Sequence, residues 1–155
     1  MLVALYEPEI PPNTGNIARL CAGFDIALNL IGPLGFSLES RYLKRAGLDY
    51  WPHVRMSVWR NFADFLAATS GRLVMATTRG ATPVQEFRFS ETDVLLFGPE
   101  TRGLPANVLG LSPCHVRIPV RSMAAGGVRS LNLSSACAII LYAALADCGL
   151  LGRFG

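Results

Sequence analysis

Apolar and polar positions fall in blocks along this chain rather than alternating residue by residue, and the blocks come in two lengths. Short apolar runs of strand length open with "MLVALY" and recur as "IALNLIGP", "RLVMATT", "DVLLF" and "HVRIPV". Apart from "HVRIPV", none keeps a period of two, and most are bounded by Gly, Pro or acidic residues, which is the pattern of strands buried on both faces. Between them lie segments with helical spacing. From Thr14 onward "TGNIARLCAGF" sets Ile17, Leu20, Cys21 and Phe24 on one stripe, with Asn13 or Thr14 as N-cap and Arg19 off the stripe. The preceding "EPEIPPNTGN" reads as a loop. "ESRYLKRAGL" predicts a short basic helix ending at Gly47, and "VWRNFADFLAAT" an amphipathic helix with Phe62, Phe65 and Leu66 inward.

The last quarter passes through "RSMAAGGV" into "RSLNLSSACAIILYAALADCG", a helix apolar on almost every face that stops at Gly149. Such a helix is covered all round, and in a domain of this size a second subunit is expected to supply part of the cover. Apolar strands separated by helices predict a single α/β domain over residues 1–155 on a parallel sheet, with its ligand site beyond the carboxyl ends of the strands. "TTRG", "FGPETRG" and "IPVRSMAAGGVRS" each follow a strand, so they are expected to gather at one edge and form a pocket.

Composition sharpens this only in places. A hydrophobic fraction of 51% with 16% charged residues excludes disorder. A net charge of +3 excludes a polycation that coats nucleic acid unaided, although a basic face remains open. Only Lys44 among the basic residues is a lysine. Arginine forks suit phosphate, but genomic base composition gives the same excess. Cys21, Cys114, Cys137 and Cys148 show neither CxxC nor metal-ligand spacing, so no metal is expected. With no signal-peptide pattern and no apolar run longer than Ala136 to Ala146, the expectation is a reduced, cytoplasmic, soluble protein.

The chemistry is narrowed by what is missing. G-x-G-x-x-G, the P-loop pattern and G-x-S-x-G do not occur, and only His53 and His115 could serve a triad. What remains is a pocket of Gly, Pro, Thr and Ser suited to binding through backbone N–H and C=O.

Three segments in this order resemble the SPOUT class of trefoil-knotted methyltransferases, and within it the single-domain tRNA wobble 2′-O-methyltransferases of the TrmL/YibK type. "YEPEIPPNTGNIARLCAGF" resembles the first family motif, "FGPETRGLP" the second and "IPVRSMAAGGVRSLNLSSACAIILY" the third, with "KRAGLDYW" a further match. The resemblance implies an α/β knot, a homodimer packed through the helices at Thr14–Phe24 and Leu131–Asp147, and S-adenosylmethionine (S-adenosyl-L-methionine) as methyl donor. The donor is implied to contact Ala76, Thr77, Gly98, Glu100, Gly103, Ile118, Val120, Ser130 and Leu131. Arg19 takes the catalytic arginine's position, stabilising the ribose 2′-oxygen, with Ser130 and Asn132 in support. Arg19 and Asn16 are thereby set toward tRNA, and the positive charge of Arg41, Lys44 and Arg45 on the basic helix could touch its backbone, beside the plain reading of a solvated helix face.

Plainer readings stand beside these. Glu100 and Arg102 could form an ion pair that stiffens their loop, Ser130 could cap the last helix, and Tyr50, Trp51 and Trp59 could stack on bases, with Trp59 read as core. The third motif is longer than usual between Pro119 and Arg129. Ser135 replaces a common asparagine, and Ala143-Ala144 stand where a glutamate is frequent. Methylation of another RNA such as rRNA, or RNA binding without catalysis, remain the alternatives.

Overall fold

The computed structural model describes residues 1–38, 50–80, 82–121 and 123–154. Seven strands form one all-parallel sheet: β1 (Leu2–Tyr6), β2 (Ala27–Ile31), β3 (Met56–Trp59), β4 (Leu73–Ala76), β5 (Thr82–Pro83), β6 (Val94–Phe97) and β7 (His115–Arg117). Their order across the sheet is β3-β2-β1-β6-β4-β7-β5. Among the described residues four α-helices cover it: α1 (Pro11–Gly23), α2 (Phe62–Ala68), α3 (Ala106–Leu109) and α4 (Leu133–Asp147).

Successive strand residues point to opposite faces, and here both faces are apolar. Val3, Leu5, Leu28, Leu30, Val74, Leu95 and Phe97 pack with Ile17, Cys21, Cys137, Leu141 and Leu145 of α1 and α4. Ala4, Ile31, Met75, Val94 and Leu96 pack on the other side with Phe65 of α2 and Val108 of α3. That double burial is why the strands read as unbroken apolar runs.

Several boundaries differ from expectation, each for a local reason. The first helix begins at Pro11, and its N-cap Ile10 makes no side-chain hydrogen bond. Neither Asn13 nor Thr14 caps it. Pro11 and Pro12 have no N–H to satisfy, and the N–H groups of Asn13 and Thr14 both reach the Ile10 carbonyl at 3.1 and 3.3 Å. In "VWRNFADFLAAT" the first two residues belong to β3, and the helix starts only after Asn61, whose side chain accepts from the Asp64 N–H at 2.9 Å. Phe62, Phe65 and Leu66 do face the core. The third motif's strand ends at Arg117, leaving Ile118 to Val120 in the loop. The short elements β5 and α3 carry too few residues for a periodic signal. Gly149 ends α4 as expected, at φ 68. The basic helix expected over "ESRYLKRAGL" lies outside the described residues, as do Arg41 and Arg45.

Candidate active site

The site follows from register. Leu5, Phe97, Ala76 and Val116 pair across β1, β6, β4 and β7, so these strands end level with one another. The chain segments leaving them therefore start side by side, one strand spacing of about 4.8 Å apart. Thr77 donates its N–H to the Val116 carbonyl at 3.0 Å, and Gly80 lies so close to the Val116–Arg117 backbone that a Cβ would sit 2.6 Å from the Val116 carbonyl carbon. Ala76, Thr77, Gly98 and Ile118 are thus brought together at this edge, all half-buried. Val120 and Ser130 lie on the exposed loop beyond, and Leu131 is half-buried where that loop turns into α4.

The loop after β6 is pinned by carboxylates. Glu100 accepts from the Glu9 N–H at 2.9 Å, the Ile10 N–H at 3.2 Å and the Asn13 amide at 3.1 Å. Glu9 accepts from the Thr101 N–H at 3.1 Å and its hydroxyl at 2.8 Å, and pairs with Arg102 at 2.7 Å. Arg102 also pairs with Glu7. The ion pair read between Glu100 and Arg102 is therefore not formed. Each reaches across to the segment after β1, which ties two loops together instead of stiffening one. The Thr101 hydroxyl chiefly, against a smaller opposing effect of desolvation, holds the Glu9 carboxyl below its ordinary value.

Asn13, which the sequence offered only as an N-cap, is instead a hub of side-chain bonds. It donates to Glu100 while its carbonyl oxygen accepts from the Asn132 amide at 2.8 Å. Asn132 caps α4, accepting from the Ser134 N–H at 2.9 Å, the Ser134 hydroxyl at 2.7 Å and the Ser135 N–H at 3.4 Å. The capping role read for Ser130 falls to Asn132, two residues later, because the helix starts at Leu133. A relay of Glu100, Asn13 and Asn132 thus locks the ends of α1 and α4 to the β6 loop. The only signal for it in the sequence is an Asn placed just after a Pro-Pro helix start.

Arg19 stands apart from this network. It is exposed on α1, and among the described residues its guanidinium makes no hydrogen bond or ion pair. Its partner among the described residues is the Tyr50 ring, 5.5 Å from guanidinium to centroid, and the Tyr50 hydroxyl donates to the Gly15 carbonyl at 2.8 Å, one turn earlier on the same helix. The ring is docked on α1 by its hydroxyl and offers its face to Arg19, which leaves the N–H edges of the fork open. Asn16 is exposed on the same helix. Trp59 is a core residue, donating to Asn29 at 2.8 Å and meeting Phe65 edge to face. One buried hydroxyl, Thr14 Oγ1, has no partner among the described residues, one turn into α1.

The outer face of α1 and α4 is apolar. Leu20, Phe24, Ala138, Ile139, Tyr142 and Ala143 line a shallow groove there, with Tyr142 56% and Ile139 41% exposed. No helix among the described residues is long and apolar enough to cross a membrane.

Residues 1–142 match the family described as "SpoU rRNA Methylase family". A tRNA (cytidine(34)-2'-O)-methyltransferase of Methylovorus glucosotrophus (strain SIP3-4) is 50% identical over 145 residues, covering 92% of each chain. A solved structure described as "Structural insights into the 2-OH methylation of C/U34 on tRNA" superposes with a TM-score of 0.88 at 48% identity, covering 97% of this chain and 96% of that one. An AdoMet-bound rRNA methyltransferase from Sinorhizobium meliloti, 27% identical, superposes with a TM-score of 0.81 over 94% of this chain and 55% of its own.

Proposed function

The chain belongs to the SpoU rRNA methylase family, and from that membership we propose that it methylates the ribose 2′-oxygen of the wobble nucleotide, position 34, of tRNA, as the names of its relatives describe for them. The observation that carries the reading is Arg19, exposed on α1 against the Tyr50 ring with no carboxylate partner among the described residues, on the helix that follows β1, whose end is level with those of β6, β4 and β7. S-adenosylmethionine supplies an electrophilic methyl group when bound.

The residues present fit that donor. The carboxylates nearest the loops, Glu7, Glu9 and Glu100, are all engaged by Arg102, Thr101, Asn13 and backbone N–H groups. The strand ends are left to backbone and small polar side chains, suited to an uncharged adenosyl moiety. We assign donor contacts to Ala76, Thr77, Gly98, Gly103, Ile118, Val120, Ser130 and Leu131. Glu100 contributes by fixing its loop rather than by touching the donor through its occupied carboxylate.

A guanidinium stays protonated in proteins, so Arg19 cannot serve as a proton acceptor. Its work is to hold negative character on the ribose oxygen as the 2′-hydroxyl gives up its proton to water, and a preoriented donor is worth about 3 kcal/mol in such a role. Ser130 is assigned the supporting hydroxyl, since it is exposed on the loop before α4 and its side chain makes no hydrogen bond among the described residues. Asn132 is a positioning residue, because its bonds are committed to Asn13 and to the start of α4. The apolar groove on α1 and α4 is assigned to a second copy of the chain, giving a homodimer, and the cytoplasm is the compartment that fits a tRNA substrate.

The test is transfer of labelled methyl from S-adenosylmethionine into unfractionated tRNA with nucleoside analysis, beside Arg19→Ala. Label in a 2′-O-methylpyrimidine that disappears with the substitution is the expected result. Donor binding without label in tRNA would shift the assignment to another RNA or to a binder without catalysis.

A further inference from the structure

The arginines of this protein divide into two populations. Of those described, Arg55, Arg60, Arg72, Arg88, Arg102 and Arg153 each meet a carboxylate, at distances from 2.5 to 3.4 Å. The side chains of Arg19, Arg79, Arg117, Arg121 and Arg129 meet none among the described residues, and the hydrogen bonds formed at Arg79, Arg117 and Arg121 are backbone ones. The unpaired group is not scattered. Arg79 lies in the loop after β4, Arg117 ends β7, and Arg121 and Arg129 flank the loop before α4.

Contacts draw them together. Gly80 packs on the Arg117 backbone, and the Val128 N–H donates to the Arg121 carbonyl at 3.1 Å, closing the loop so that Arg121 and Arg129 come near each other. Arg79, Arg121 and Arg129 are exposed and Arg117 is half-buried. The chain has no Asp or Glu between Glu100 and Asp147, so no acid from this stretch is at hand to neutralise them.

We infer that Arg79, Arg121 and Arg129, with Arg117, form a phosphate-binding surface that holds the RNA backbone while a ribose is presented to Arg19. The inference rests on the proposed RNA methyl transfer. Unpaired guanidinium forks keep their donors for phosphate oxygens, where they bind bidentately. Four of them spread over two adjacent strand ends and the loop beyond span more than one small anion, and match a chain of phosphates. Paired arginines release no counterions on binding because their charge is already matched, whereas each unpaired one that meets a phosphate adds to the salt dependence.

The test is the affinity of the full-length protein for unfractionated tRNA, measured across salt from roughly 50 to 200 mM, where a phosphate contact adds about 0.7 to 0.9 to the log–log slope. The triple variant Arg79→Gln/Arg121→Gln/Arg129→Gln is expected to lose roughly 10- to 100-fold in affinity and to flatten the slope by about 2 to 3. Arg60→Gln and Arg88→Gln, already matched by carboxylates, are expected to leave the slope unchanged. Calorimetric binding of S-adenosylmethionine checks that the triple variant is folded, and should match the unsubstituted protein. A triple variant with the original slope, or control variants that flatten it as much, would overturn the inference. If the unsubstituted protein binds tRNA with this split but transfers no methyl group, the surface stands and the catalytic assignment falls.

Discussion

The loops that follow β6 and β7 leave the same edge of the sheet two strands apart, yet they are held in opposite ways. In residues 98–103, Glu100 gathers two N–H groups and an amide, and Thr101 and Arg102 are fastened to Glu9 and Glu7. Gly98 is pressed so close to the next turn that a Cβ would lie 2.3 Å from the Leu104 nitrogen. The loop from Ile118 to Ser130 has no carboxylate, and among its described residues the closing bond is Val128 N–H to the Arg121 carbonyl. The first is a fixed, self-neutralised wall. The second is open and cationic. A wall of that kind suits a small donor whose reacting atom must be placed accurately, and an open charged loop suits a polymer that arrives by its phosphates.

Breaking the pinned loop should have the largest effect on stability. Glu100→Ala leaves two N–H groups and Asn13 without their charged acceptor, at a cost of about 2 kcal/mol, or about 5 °C in melting temperature. Donor affinity measured by calorimetry should fall with it, and an unchanged affinity would show that the wall does not shape the pocket. Asn132→Ala removes the cap of α4 and half of the relay, for about 1 kcal/mol by thermal denaturation. Tyr50 offers a finer comparison. Tyr50→Leu removes the ring under Arg19 and should lower kcat about tenfold with little change in the KM for the donor, whereas Tyr50→Phe, which keeps the ring, should retain more than half of kcat.

The smallest effect concerns acid. Glu9 has a depressed carboxyl in the folded state, from the ordinary 4.5, so its contribution is present above that value and is lost as pH falls through the lower folded one. The protein should therefore lose stability below about pH 4, and Arg102→Gln should move that acid midpoint upward by a few tenths of a unit while leaving tRNA affinity unchanged. Asp147 titrates in the same direction, held down chiefly by the Phe89 N–H and then by Arg88, so it is the background against which the shift is read.

Much of this architecture was legible in the sequence. "DVLLF" and "MLVALY" carry no polar residue at their centres because both faces of the parallel sheet are covered, and the three loops converge because their strands end in register. β3 was hidden because Met56 to Trp59 is a four-residue edge strand with Ser57 and Val58 exposed, running directly into a helix cap. At the site, the glycines and prolines of "FGPETRGLP" announce a rigid loop, which is how the opening of the pocket is recognised. Its partners are not announced. Glu100 finds Ile10 and Asn13, and Arg102 finds Glu7, across some ninety residues of chain, and no local pattern encodes a pairing made by tertiary packing. The division of the arginines is likewise invisible until each carboxylate has been matched to its partner.

The most direct test of the account is a single-turnover methyl transfer to tRNA by Arg19→Ala, with donor binding measured on the same preparation. The expected result is a rate lowered about 10²- to 10³-fold with S-adenosylmethionine affinity unchanged, because the proposal sets Arg19 against the ribose oxygen and not against the donor. A rate within a few-fold of the unsubstituted protein, or a loss that follows donor affinity alone, would contradict it.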